Sequence, residues 1–86
     1  YGGEEFVCLL PETSIEGARA KADELGKAVF ALSIANAGAT TAPVVTISRG
    51  VASLQPSAEA KAVDLLHIAD NFLYMAKRAG RNRTEG

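Results

Sequence analysis

Cysteine is nearly missing from this chain: Cys8 stands alone, which excludes an intrachain disulfide. A catalytic thiol would need a base partner, and no neighbouring residue supplies one. Histidine is just as scarce. His67 has no second ligand at metal-binding spacing, so it reads as a partly exposed helix residue. Excess charge is missing too: 9 Lys and Arg against 10 Asp and Glu leave a net charge of −1, with no long-range pull toward nucleic acid or an anionic membrane. No apolar run is long enough to span a bilayer, and no signal-peptide pattern is present. With the lone thiol, these absences favour a reducing, cytoplasmic setting. At 86 residues, 48% hydrophobic and 22% charged, the chain is sized for one small globular domain.

What is present begins with Tyr1-Gly2-Gly3-Glu4-Glu5-Phe6. Adjacent glycines take positive φ freely and suit the tip of a tight turn. Two carboxylates follow. The apolar run Phe6-Val7-Cys8-Leu9-Leu10 then reads as a buried strand over residues 5–10, with Cys8 as a small buried hydrophobe. A hairpin turn would thus present acids at a strand end, where glycine admits a bulky anion to the backbone. Paired carboxylates there suit a hard cation such as Mg²⁺. The same spacing also describes an ordinary surface turn followed by solvated acids.

Pro11 ends that strand, and Thr13-Ser14-Ile15-Glu16 fits a capping box with Thr13 as the N-cap. Ile15, Ala18, Ala22, Leu25, Val29 and Leu32 recur at helical spacing as one apolar stripe, with Lys21, Asp23, Glu24 and Lys27 on other faces. Gly17 and Gly26 each cost about 1 kcal/mol relative to Ala, so this helix depends on packing. Residues 33–43 read as a loop.

Residues 44–52 read as a second strand, with Val45, Ile47 and Val51 on one face and Arg49 interrupting them. The small residues at 48, 50 and 52 let a helix or ligand approach the other face closely. Arg49 must reach the sheet edge or find a partner, because burying it unpaired is costly. A second helix, from about Ser57 to Ala79, buries Leu65, Leu66, Ala69, Phe72, Leu73 and Ala76. Its neighbouring face carries Asp70, Tyr74 and Lys77, close enough in sequence to meet. Gly80 sits where a helix C′ residue belongs, and Arg81-Asn82-Arg83 leads toward a short final strand. Lys77, Arg78, Arg81 and Arg83 make this end basic, which suits either a phosphate-rich ligand or the helix macrodipole.

Tyr-Gly-Gly-Glu-Glu-Phe resembles the signature of the GGDEF family, the diguanylate cyclases, in its GGEEF form. Three further segments match in order. Leu9-Leu10-Pro11-Glu12-Thr13-Ser14 resembles the family's strand-to-helix junction, and Val45 to Ala52 its later strand. Ala69 to Arg83 resembles its closing helix and exit. The resemblance runs nearly end to end and corresponds to the second half of a family domain. It implies an α/β (α+β) fold, one partial GGDEF domain over residues 1–86 of nucleotidyl-cyclase-like, ferredoxin-like type. The order is strand-helix-strand-helix with a short final strand, without the N-terminal strand and helices. Two positions depart from the family pattern: Arg49 replaces an apolar residue and Phe72 a small one.

The resemblance implies that two GTP molecules are condensed into cyclic di-GMP and pyrophosphate. Gly2 and Gly3 would line the turn against GTP. Glu4 would bind Mg²⁺ (or Mn²⁺) and assist deprotonation of the attacking hydroxyl, and Glu5 would support that site. Lys77 and Arg81 match the positions whose cations contact phosphates, while Asp70 would be structural. The family works as a homodimer joined to an N-terminal sensory or receiver region, and a parent protein can be membrane-anchored. Further metal-binding aspartates, guanine-reading residues and an Arg-x-x-Asp product-inhibition motif would lie upstream of Tyr1. The isolated 86 residues are therefore expected to be inactive, and uncovered apolar edges to drive self-association or leave a marginally stable core. A GGDEF module that has lost catalysis and responds to nucleotide is the alternative, disfavoured by intact Glu4, Glu5, Lys77 and Arg81. An unrelated α/β interaction domain would leave four ordered matches to coincidence.

Overall fold

The computed structural model describes residues 4–35, 44–54 and 61–86. Within them the order is α1 (Ile15–Ala31), β1 (Arg49–Gly50), α2 (Ala62–Arg78) and β2 (Thr84–Glu85). The expected turn glycines Gly2 and Gly3, most of the 33–43 loop and residues 57–60 of the expected second helix lie outside the described residues.

Helix α1 starts one residue later than the capping-box reading places it. Ser14, not Thr13, is the N-cap: its Oγ accepts from the Gly17 amide at 3.1 Å, while the Thr13 hydroxyl turns back to donate to the Pro11 carbonyl. With Ser14 at the cap, the third helical residue is Gly17, which has no side chain to complete the reciprocal bond. The helix buries Ala18, Ala22 and Gly26. Leu25 and Leu32 of the expected stripe are exposed.

Helix α2 begins at Ala62, with Lys61 extended and offering no side-chain cap. Its stripe follows the periodicity: Ala76 is fully buried and Leu65, Leu66, Ala69, Phe72 and Leu73 are half-buried, against exposed Val63, Ile68 and Met75. The helix closes as the glycine spacing predicts. Ala79 is the C-cap, Gly80 has φ +128°, and the Arg81 amide donates to the Ala76 carbonyl at 2.9 Å.

The short final strand is present, and it pairs parallel with β1 in the register Arg49↔Thr84, Gly50↔Glu85. Flanking bonds extend the pairing: the Arg49 amide donates to the Arg83 carbonyl and the Val51 amide to the Glu85 carbonyl. The second strand is therefore shorter than residues 44–52, although Val44 bridges Ala35 in antiparallel fashion. Parallel strands require a crossover, and α2 supplies it. Gly50 makes that packing feasible. A Cβ at this position would lie 2.2 Å from the Leu73 amide nitrogen and 2.3 Å from the Ala69 carbonyl oxygen, so the helix backbone rests directly on the strand.

Residues 5–10 do not form the expected strand. They are irregular, Phe6 is 91% exposed and Leu9 77% exposed, and Cys8 is exposed rather than buried. The reason is the lack of a partner. A strand needs a neighbour for its amide and carbonyl groups, and among the described residues no backbone bond joins this segment to another.

Two outcomes follow. Gly50→Ala is expected to destabilise the chain by about 2 kcal/mol or more, because relief requires shifting helix backbone rather than a side-chain tip. A urea midpoint unchanged from the parent chain would refute this. The exposed Phe6, Leu9, Phe30 and Leu32 should make the 86-residue chain self-associate. Sedimentation velocity should show a sedimentation coefficient that rises with concentration, and a concentration-independent monomer would overturn the expectation.

Candidate functional site

Beside β1 lies a cleft of about 490 Å³, within the usual size of a small-molecule site. Its walls come from the N-terminal segment, α1, the β1 strand and α2. Glu4, Glu5, Asp70, Lys77 and Arg81 all line it, together with apolar Leu25, Leu66 and Leu73. Acids and cations separated by more than 70 residues thus share one cavity.

One direct contact joins the two sets. The Lys77 ammonium donates to Glu5 Oε2 at 3.1 Å, with both side chains roughly one-third exposed. At that exposure the pair contributes little to stability, about 1 kcal/mol at most. Its main effect is positional, since it is the described polar link between the N-terminal acids and α2. Glu4 is exposed at the mouth of the cleft.

Arg81 is placed by an unusual backbone. Gly80 at φ +128°, Arg81 at φ +64° and Asn82 at φ +47° make three consecutive positive-φ residues after α2. Glycine adopts such a conformation readily and asparagine tolerates it, but arginine pays about 1 kcal/mol or more. The turn is held by the Arg81 amide bond to Ala76 and by Arg83 Nε donating to the Arg81 carbonyl at 3.2 Å.

Other expectations about this face need adjusting. Tyr74 turns to Arg78, which donates to its hydroxyl at 3.0 Å and stacks 5.8 Å from the ring centre, rather than to Asp70 or Lys77. Asp70 has no ion-pair partner among the described residues and instead faces the cleft. Lys21, read as lying on a face of α1 other than the apolar stripe, lines the cleft, as its position beside Ala18 and Ala22 allows. Arg49 is the residue whose role the sequence left unassigned. Its side chain is only 14% exposed, and it finds partners on α1 and β2 as its charge demands.

Divalent metal is the group the resemblance implies. Mg²⁺ takes one or two protein carboxylates together with substrate phosphates and retained waters. Glu4 and Glu5 at the cleft fit that donor chemistry. Among the described residues no group of three or more His, Cys, Asp or Glu stands close enough to hold a metal by protein ligands alone. Substrate oxygens and water would have to complete the shell. No helix in the described residues is long and apolar enough to cross a membrane.

Comparison with known proteins gives a consistent picture. The family described as diguanylate cyclase, GGDEF domain, matches residues 1–83. Diguanylate cyclase DgcP of Pseudomonas aeruginosa is 40% identical over 85 residues, covering 99% of this chain and 12% of its own length. Diguanylate cyclase A of Treponema denticola is 42% identical over 83 residues, covering 96% of this chain and 22% of its own. The response regulator PleD of Caulobacter vibrioides is 35% identical over 86 residues, which is 100% of this chain and 19% of its own. The chain therefore spans between 12% and 22% of these relatives. None of the solved structures gives a significant match. A family match that leaves out only residues 84–86 is decisive for membership: the chain belongs to the GGDEF domain family.

Proposed function

We propose that this chain supplies the acid and cation part of a diguanylate cyclase site, at which two GTP molecules become cyclic di-GMP and pyrophosphate. The observation that carries the reading is the convergence of Glu4, Glu5, Lys77 and Arg81 on one cleft, with Glu5 and Lys77 in contact. In fold terms, the helix pair and the parallel strands joined through α2 are compatible with part of a ferredoxin-like, nucleotidyl-cyclase-type domain.

The 3′-oxygen of each GTP attacks the α-phosphorus of the other, so that two bonds form, the two bonds from α-phosphorus to the oxygen bridging to the β-phosphate break, and two pyrophosphates leave. Each pyrophosphate carries its electron pair away. Glu4, exposed at the cleft mouth, would take the hydroxyl proton directly or through water. Lys77 has three donors, so it can keep Glu5 while contacting a phosphate oxygen, and this fixes its ammonium at the cleft wall. Arg81 presents a planar guanidinium that suits two phosphate oxygens at once. Mg²⁺ or Mn²⁺ held by Glu4 with Glu5 in support would neutralise charge on the triphosphate. Gly2 and Gly3 would let the nucleotide approach the turn. The second GTP comes from a second copy facing the first, which makes the active form a homodimer driven by an N-terminal sensory or receiver region. The setting is cytoplasmic, where GTP is available.

Three measurements test this. Glu4→Ala in the full-length protein should abolish cyclic di-GMP synthesis while leaving circular dichroism and thermal midpoint unchanged; retained synthesis would refute the assignment. The 86-residue chain alone should show no turnover of GTP, because among the described residues no group of three or more His, Cys, Asp or Glu could hold a metal ion; product formed by it would contradict the reading. Arg81→Gly should separate stability from function. It removes about 1 kcal/mol of backbone strain and so raises the urea midpoint, while it weakens GTP binding in the full-length protein. A lower midpoint would show that the side chain serves the fold instead.

A further inference from the structure

Arg49 carries a network that neither the acids nor the α2 cations explain. Its Nε donates to Thr84 Oγ1 at 3.0 Å, and the Thr84 hydroxyl in turn donates to Asp23 Oδ1 at 2.7 Å. Its Nη2 lies 3.6 Å from the same Asp23 oxygen, and its Nη1 donates to the Ile47 carbonyl. The guanidinium lies flat against Gly26 of α1: a Cβ there would sit 2.5 Å from Arg49 Cζ. One planar cation therefore ties α1, β1 and β2 together, and Thr84 uses both its acceptor and its donor in doing so. The contact is chemically specific, since Arg offers several fixed donors where Lys offers a single mobile charge.

We infer that Asp23, Arg49 and Thr84 form a polar latch that positions Arg81. Thr84 stands three residues beyond Arg81, at the end of the strained turn that aims it. The backbone on either side of the guanidinium is pinned as well, by the Arg49 amide on the Arg83 carbonyl at 2.8 Å. With the latch closed, the exit from α2 is held at both ends: by the helix C-cap before Arg81 and by Thr84 after it. With the latch open, the positive-φ turn keeps its local bonds and the backbone pairing of β1 with β2 but loses the side-chain tie to α1, and the Arg81 guanidinium loses part of its fixed bearing on the cleft. Arg49 and Thr84 are thus positioning residues for a phosphate contact. The inference rests on the reading of Arg81 as that contact.

The test is a double-mutant cycle on the 86-residue chain, with inorganic tripolyphosphate as the probe at low salt. Arg81→Ala should weaken binding by up to about fivefold, the range of one partly exposed charge contact. Thr84→Val should weaken it comparably, Thr84→Ser should restore it, and Thr84→Val combined with Arg81→Ala should be no weaker than Arg81→Ala alone. In parallel, the Arg49 Nε proton should exchange slowly with solvent in the parent chain and quickly in Thr84→Val. If Thr84→Val does not fold, Asp23→Ala, at an exposed position, removes the acceptor and gives the same cycle. Losses that multiply instead of overlapping would overturn the latch while leaving Arg81 as a phosphate contact. Parent-like binding in Thr84→Val with fast Arg49 exchange would do the same. If Arg81→Ala itself binds as tightly as the parent chain, the phosphate reading fails, and the latch loses its role with it.

Discussion

The structure depends on one close approach: the backbone of α2 lies on the backbone of β1 at Gly50. Main chain against main chain leaves no room for adjustment, so the helix has one depth and one angle on the strand. Because α2 is also the crossover between β1 and β2, the three elements form a single unit with fixed spacing. The C-terminal turn of that helix carries Lys77, and its exit carries Arg81. The bearing of both cations is therefore set by a glycine that touches neither. The N-terminal acids are held differently, by an ion pair about one-third exposed and by the cleft wall, with no strand ladder to fix them among the described residues. A rigid cation side and a compliant acid side is the result.

How much of this could be read in the sequence depended on the range of the forces involved. Helix α2 was legible because its determinants are local: the six stripe residues recur at 3.6-residue spacing, and Gly80 marks the stop. The final strand followed from that stop. Residues 5–10 were misread because their apolar run describes a strand only when a neighbour exists, and no local pattern reports the neighbour. The cap at α1 was off by one residue, since Thr13 and Ser14 both carry the required hydroxyl and only backbone geometry separates them. Gly26 was counted as a cost in helix propensity. Its lack of a side chain makes room for Arg49, a partner 23 positions away that periodicity cannot show.

The candidate site was legible in its members and not in its geometry. The signature turn and the α2 cations could be named from the resemblance, yet spacing alone gave no reason for Glu5 and Lys77 to meet. Their contact has a simple electrostatic logic. The cleft is lined by three acids (Glu4, Glu5 and Asp70) and four cations (Lys21, Arg49, Lys77 and Arg81), close enough to balance for opposite charges to face one another across it. A triphosphate with a divalent metal also brings charges of both signs. On the proposed reading the added cation would complement the carboxylates and the added anions would complement Lys77 and Arg81, so the pair together would suit the cleft better than either alone.

Arg81 shows why stability and site geometry must be weighed separately. For the fold alone, glycine at this position would be better, because the backbone demands φ +64°. Asn82, next in line, is a residue that accepts the same region at low cost. An arginine there makes the chain less stable by about 1 kcal/mol, a noticeable fraction for a domain whose buried apolar side chains, among the described residues, are Ala18, Ala22 and Ala76. Nothing in its described contacts returns that energy, as the bonds at residue 81 are made by its backbone. The strain is intelligible if the side chain acts on something the chain does not itself contain, and the cleft it lines is where that partner would sit.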